Sequence, residues 1–149
     1  MAKVTIRNGD WILVGDGVKA MLFRNAGDPE HLDLRVLDLF EHETPPTREQ
    51  GTDRPGRVHQ SAATARSAVE ETDWHRFEKE RFAKDLADTL YRKAHAGAFE
   101  RLVVVAPPPT LGDLRKAFHQ EVSARIVAEI DKTLTNHPVG KIESLLAMD

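Results

Sequence analysis

Two apolar runs, Trp11-Ile12-Leu13-Val14 and Val18-Lys19-Ala20-Met21-Leu22-Phe23, stand on either side of Gly15-Asp16-Gly17. No other feature of the 149-residue chain constrains its fold as tightly. Glycine takes the positive φ that a tight turn demands, so Asp-Gly between two such runs predicts an antiparallel hairpin. A second turn cluster, Asn25 to Pro29, precedes a third strand. There Leu32, Leu34 and Val36 alternate with Asp33, Arg35 and Leu37, which predicts one dry and one wet face.

The pattern then breaks. From about 42 to 72 the chain holds Pro45, Pro46, Gly51, Pro55 and Gly56 and few large apolar side chains, so it reads as one long loop. A helix is expected from Asp73, taken as its N-cap, with Phe82, Leu86 and Leu90 at i, i+4 and i+8. Its outer face carries near-equal acids and bases, including Glu80 and Lys84, and reads as solvated. Gly97 is the expected stop. Leu102 to Ala106 is a continuous apolar run, as in a strand buried on both faces.

Thr110-Leu111-Gly112-Asp113 reads as a capping-box variant that opens the next helix. Glu121 to Lys132 fits a strand or a helix, with the alternation of Ile126, Ala128 and Ile130 favouring a strand. Pro138 suits the start of a last helix bearing Val139, Ile142 and Leu146. The order β-β-β-loop-α-β-α-β-α predicts an α/β fold, a single domain over residues 1–149 whose mixed sheet is covered by helices.

Charge sharpens the picture of the loop. The chain carries a formal −3, which excludes coating of nucleic acid along its length. Residues 45–66 hold Arg48, Arg54, Arg57 and Arg66 against Glu49 and Asp53, a surplus of two, so the remainder carries −5. Within that stretch, Pro55-Gly56 favours a type II turn and sets Arg54 and Arg57 at its two ends. There both guanidiniums can grip one phosphate or carboxylate. Equally, they can pair with Asp53 or Glu49 and pin the loop. His59 and Arg66 complete the candidate binding patch.

Other chemistries find less support. The chain has no cysteine, which excludes disulfide scaffolds, thiolate metal sites and cysteine nucleophiles. Met1 to Asp10 has no apolar signal segment, and no apolar run approaches the ~20 residues of a membrane helix, so a cytoplasmic location is expected. Of the seven histidines, no two are three or four residues apart, and no metal site or cofactor is expected. A glycine near a helix start, Gly112, invites phosphate, yet Asp113 beside it repels an anion. Asp10, Asp16 and Asp38 lie near strand ends and leave a metal-dependent hydrolase or nuclease as the alternative class. No catalytic residue is nominated.

Four segments taken in order, W-I-L-V-G-D-G-V-K-A-M-L-F (11–23), D-R-P-G-R (53–57), E-R-F-A-K-D-L (80–86) and L-V-V-V-A-P-P-P-T-L-G-D-L-R (102–115), resemble the bacterial host-attachment protein family. The resemblance runs from Trp11 to Leu146. It implies a fold similar to the central domain of archaeal and eukaryotic release factors, a translation-related role with RNA or the ribosome as partner, and a role in attachment to host cells. With a cytoplasmic location, that attachment role is expected to be indirect. An acidic protein partner fits the arginines equally well. Release factors that hydrolyse peptidyl-tRNA carry Gly-Gly-Gln on a loop of this domain. This chain has Gln50-Gly51 and no Gly-Gly-Gln, so the resemblance does not carry peptide release over.

Overall fold

A computed structural model describes residues 5–41 and 60–148, with the backbone alone for 60–73 and Met148. Five strands form one mixed sheet in the order β3-β2-β1-β4-β5. The expected hairpin is β1 (Trp11–Gly15) and β2 (Lys19–Asn25), paired antiparallel from Trp11 with Arg24 to Gly15 with Ala20. Its turn is locked by Asp16, whose Oδ1 accepts the amides of Val18 at 3.0 Å and Lys19 at 2.9 Å. Gly17 supplies the positive φ, at +99°.

β3 (Leu34–Glu41) lies antiparallel to β2 at one edge, and β4 (Leu102–Ala106) lies parallel to β1. β5 (Ile126–Asp131) lies parallel to β4 and closes the described sheet on the other side. β1, β3, β4 and β5 therefore share one direction, and their C-terminal ends share one edge of the sheet. All five residues of β4 are buried, as expected for a strand covered on both faces.

The helices supply those covers. α1 (Gln60–His95), α2 (Pro108–Ala117) and the short α3 (Gln120–Ser123) lie on one face. There Phe82, Leu86 and Leu90 pack with Leu111, Leu114, Phe118 and Val122 onto Trp11, Leu13, Leu22 and Val104. α4 (Val139–Met148) lies on the other face, with Ile142 and Leu146 against Ile12, Val14, Phe23, Val103 and Val105. Each fully buried Leu, Ile or Phe of these two layers contributes about 1.5–3 kcal/mol relative to exposure, so the central strands are the most heavily stabilised part of the fold.

Three expectations need correction. α1 begins at Gln60, thirteen residues before Asp73, so the helix claims residues 60–72 of the expected loop. That stretch shows little amphipathic period, but it has no Gly or Pro and holds Ala62, Ala63, Ala65 and Ala68, which favour helix intrinsically. α2 begins at Pro108 with Pro107 at the cap position and no side-chain cap, so Thr110 is a buried residue of its first turn and not a cap. Proline at the first helical positions forgoes only an amide that would lack a partner anyway.

In β3, Leu34 is buried, but Val36 is 50% exposed, because no described helix covers the end strand on Val36's side. The ambiguous segment divides: Gln120–Ser123 is one helical turn and Ile126–Asp131 is strand. Gly97 ends α1 as expected, at φ +75°, with the Ala98 amide on the Lys93 carbonyl and the Gly97 amide on the Ala94 carbonyl.

Candidate functional site

In open α/β sheets, ligands gather where the strands' C-terminal ends meet. Here that edge carries the Asp16-Gly17 turn, the start of α2, the segment after β5, and the exit of β3 at Glu41. α1 passes the same edge at Lys79, whose side chain lies against Gly17.

The centre of this edge is a structural clasp. Asp16 Oδ2 accepts the Thr135 hydroxyl at 2.7 Å, and Thr135 is itself buried. Burial alone would raise the Asp16 carboxyl. The Thr135 hydroxyl, the Val18 and Lys19 amides and the Lys19 ammonium together outweigh it and hold the carboxyl below its ordinary range. Gly17 packs so closely that a Cβ there would touch the Lys79 stem and the Thr110 hydroxyl, each at 3.4 Å. The turn is thus wedged between α1 and α2, and Asp16 is committed to holding it.

α2 offers no anion site. Pro108 and Pro109 have no amide hydrogen, and the Leu111 amide donates to the Pro107 carbonyl. Two of the donors that make a helix start attractive to phosphate are therefore missing.

The carboxylates proposed for a metal-dependent hydrolase do not converge. Asp10 and Asp16 sit at opposite ends of β1, roughly 20 Å apart at ~3.3 Å per extended residue. Asp10 is buried and bound to Arg101, whose Nε lies 2.9 Å from Oδ1 and 3.0 Å from Oδ2. Asp38 is exposed on the end strand, where its Oδ1 accepts the Leu39 amide at 2.9 Å. Among the described residues, no group of three or more His, Asp or Glu side chains is placed to hold a metal ion.

His95 and His119 are engaged locally. His95 Nδ1 lies 3.3 Å from Glu121 Oε1, and His119 Nδ1 accepts the Glu121 amide at 3.0 Å while its ring packs on Tyr91. On the outer face of α1, Glu80 pairs with Arg76 at 3.5 Å, i to i+4.

Of the candidate binding residues, Arg48, Arg54, Arg57 and His59 lie outside the described residues. Arg66 falls on α1, where only the backbone is described. The structure gives the two anchors of that segment, Glu41 at the end of β3 and Gln60 at the start of α1. Between β3 and α1 it also shows a groove of about 580 Å³, which sequence reasoning missed. Its walls come from segments more than thirty residues apart, and only the sheet order brings them together. Trp74 stands at its rim, 48% exposed. No helix among the described residues is long and apolar enough to cross a membrane.

The model of bacterial archaeo-eukaryotic release factor family 12 matches residues 10–146. The chain belongs to that family. Among solved structures, it is similar to the crystal structure of the archaeal translation termination factor aRF1, at 11% identity and a TM-score of 0.44. That match covers 85% of this chain, and the chain spans 31% of the archaeal factor's length. No curated protein matches.

Proposed function

We propose that this release-factor-like domain is a non-catalytic binding module of translation. In this reading it contacts ribosomal or transfer RNA through Arg54 and Arg57, with Arg48, His59 and Arg66 extending the patch. Family membership across residues 10–146 is the observation that carries the reading. The charge distribution supports it, because the basic surplus falls on 45–66 while the rest of the chain is acidic. The placement of Glu41, which leads into that segment, at the C-terminal edge of the sheet supports it too, since ligands of α/β folds gather there. Peptide release is not part of the proposal, since the sequence has no Gly-Gly-Gln. A cytoplasmic location and an indirect effect on attachment to host cells belong to the same reading and rest on the sequence resemblance alone.

Co-sedimentation with ribosomes tests it. Arg54→Ala combined with Arg57→Ala is expected to abolish binding at low salt with little change in melting temperature. Two phosphate contacts give a log–log salt slope of about −1.4 to −1.8, so wild-type binding is expected to weaken about tenfold between 50 and 200 mM salt. A double variant that sediments as wild type does would end the arginine reading. Retention of the wild type by an acidic protein but not by RNA would replace the nucleic-acid partner with a protein one.

A further inference from the structure

The two faces of the sheet are covered unequally. α1, α2 and α3 lie on one, and α4, ten residues long, is the one helix on the other among the described residues. α4 reaches β3 at its first residue, where Glu143 Oε2 accepts the Leu34 amide at 2.7 Å. Beyond that point the α4 face of the end strand is open among the described residues. Leu39 lies opposite Met21 and Glu41 opposite Lys19, and Met21 packs against the α4-side core, so all four share that face. Val36, opposite the buried Phe23, shares it too. Val36 and Leu39 are 50% and 64% exposed, and Met21 is half-buried. The open patch is an apolar centre with one cation, Lys19, and one carboxylate, Glu41, side by side at its end.

We propose that a second copy of the chain docks on this patch, sheet face to sheet face, about a two-fold axis running along the strands between β2 and β3. The strand register carries the proposal. Such an axis exchanges β2 and β3 at each level, so each residue lies over the second copy's version of its own cross-strand neighbour. Lys19 faces Glu41 of the second copy and Met21 faces its Leu39, each contact being made twice. Apolar centre meets apolar centre and each charge meets its opposite, the self-complementarity that an isologous dimer needs. A partner surface of one charge sign would leave either Lys19 or Glu41 against its like.

The layer has room for the second copy. Stacked sheets lie ~10 Å apart, about the thickness of a helix layer, so the added strands fit beside α4. The β3 edge forms no ladder in this dimer, because Glu143 and Asp38 occupy the Leu34 and Leu39 amides. Two strands ~4.8 Å apart make a narrow footprint, short of the ~1,200 Å² that stable interfaces bury, so the dimer is weak and forms at high concentration. The pairing is independent of the arginines of residues 45–66.

Sedimentation velocity of the full chain from about 10 µM to about 1 mM tests it. Wild type is expected to shift from monomer toward dimer across that range. Leu39→Lys puts a cation in the apolar centre and should keep the chain monomeric throughout. Lys19→Glu and Glu41→Lys each create two like-charge pairs and should each weaken association at least about tenfold. A 1:1 mixture of those two variants should dimerise as wild type does, because every Glu then faces a Lys across the interface. Lys19 also stands near Asp16, so Leu39→Lys, altered at an exposed side chain, carries the test if Lys19→Glu disturbs the turn.

Three results would overturn the proposal. A wild type that stays monomeric to the highest concentration leaves the face to another occupant or to none. A folded mixture that stays monomeric where wild type dimerises, or Leu39→Lys that dimerises as wild type does, moves the dimer to another surface.

Discussion

The Thr135 hydroxyl donates to Asp16 Oδ2 at 2.7 Å across a sequence separation of 119 residues. One carboxylate thereby closes the β1–β2 turn through two backbone amides and ties it to the segment leading from β5 into α4. The first hairpin and the last helix are joined at the sheet edge through a single side chain.

Thr135→Val keeps the shape and removes the donor, and is expected to cost about 1 kcal/mol in urea unfolding at neutral pH. The folded Asp16 carboxyl titrates below the ordinary aspartate range, so the unfolded chain takes up that proton first as pH falls. Its contribution is therefore complete well above pH ~4 and is lost as pH drops through the lowered folded value. Asp16→Asn should be less stable than wild type at pH 7, and the difference should shrink toward pH 3. A difference that stays constant across that range would show that the ionised carboxylate contributes nothing.

At the other end of β1, Asp10 is 3% exposed and Arg101 reaches both its oxygens, while Arg101 Nη2 donates to the Thr5 carbonyl at 3.0 Å. Asp10 Oδ2 also accepts the Arg7 amide at 2.8 Å. Arg101→Ala leaves a buried carboxylate without its counter-charge and is expected to cost about 3 kcal/mol by denaturant unfolding. Arg101→Lys restores the charge but not the guanidinium's second donor to Thr5, and should recover part of that loss. Full recovery by lysine would show that charge alone matters at this site.

Legibility in the sequence followed the range of the interaction. The β1–β2 hairpin and the buried β4 were readable because turn chemistry and an apolar run act within a few residues. The start of α1 was misplaced because amphipathic period was weighed above propensity, and the alanine-rich stretch from Gln60 has propensity without period. Thr110 has the residue type of a cap, but Pro108 and Pro109 already fill the first helical positions, so the hydroxyl falls inside the first turn.

β3 was misjudged for another reason. Its alternation is real, but whether Val36 meets a partner depends on the sheet order, which no local pattern encodes. The candidate site was legible only as a charge surplus in residues 45–66. The groove between β3 and α1 arises through that same sheet order and has no sequence signature.

Gly27 and Gly9 make a controlled contrast near the Asn25 turn. A Cβ on Gly27 would overlap the His31 carbonyl oxygen and lie 2.9 Å from the Asp33 amide, whereas Gly9, at φ +89°, has open space around it. Gly9→Ala therefore meets backbone strain alone, about 1 kcal/mol. Gly27→Ala must move backbone that Asn25 Oδ1 holds through the Gly27 and Asp33 amides, and is expected to cost at least about 2 kcal/mol. Thermal unfolding of the two variants side by side decides the order. Equal losses would mean that the Gly27 turn yields freely.

β3 is the end strand of the described sheet beside β2. Val36, Leu37 and Leu39 are 50%, 43% and 64% exposed there, a composition that invites strand-to-strand association. Asp38 and Glu143 occupy the Leu39 and Leu34 amides, and a register shift between β2 and β3 bends the strand near Leu37. Asp38→Ala with Glu143→Ala frees both amides and removes two charges, at a modest cost in folding stability. The double variant is expected to form concentration-dependent oligomers that scatter light under conditions where wild type does not. Adding Leu39→Lys should reverse the association without restoring either hydrogen bond, because a charge on the strand blocks pairing by another route. A double variant that stays as dispersed as wild type would show that the register shift alone protects the strand.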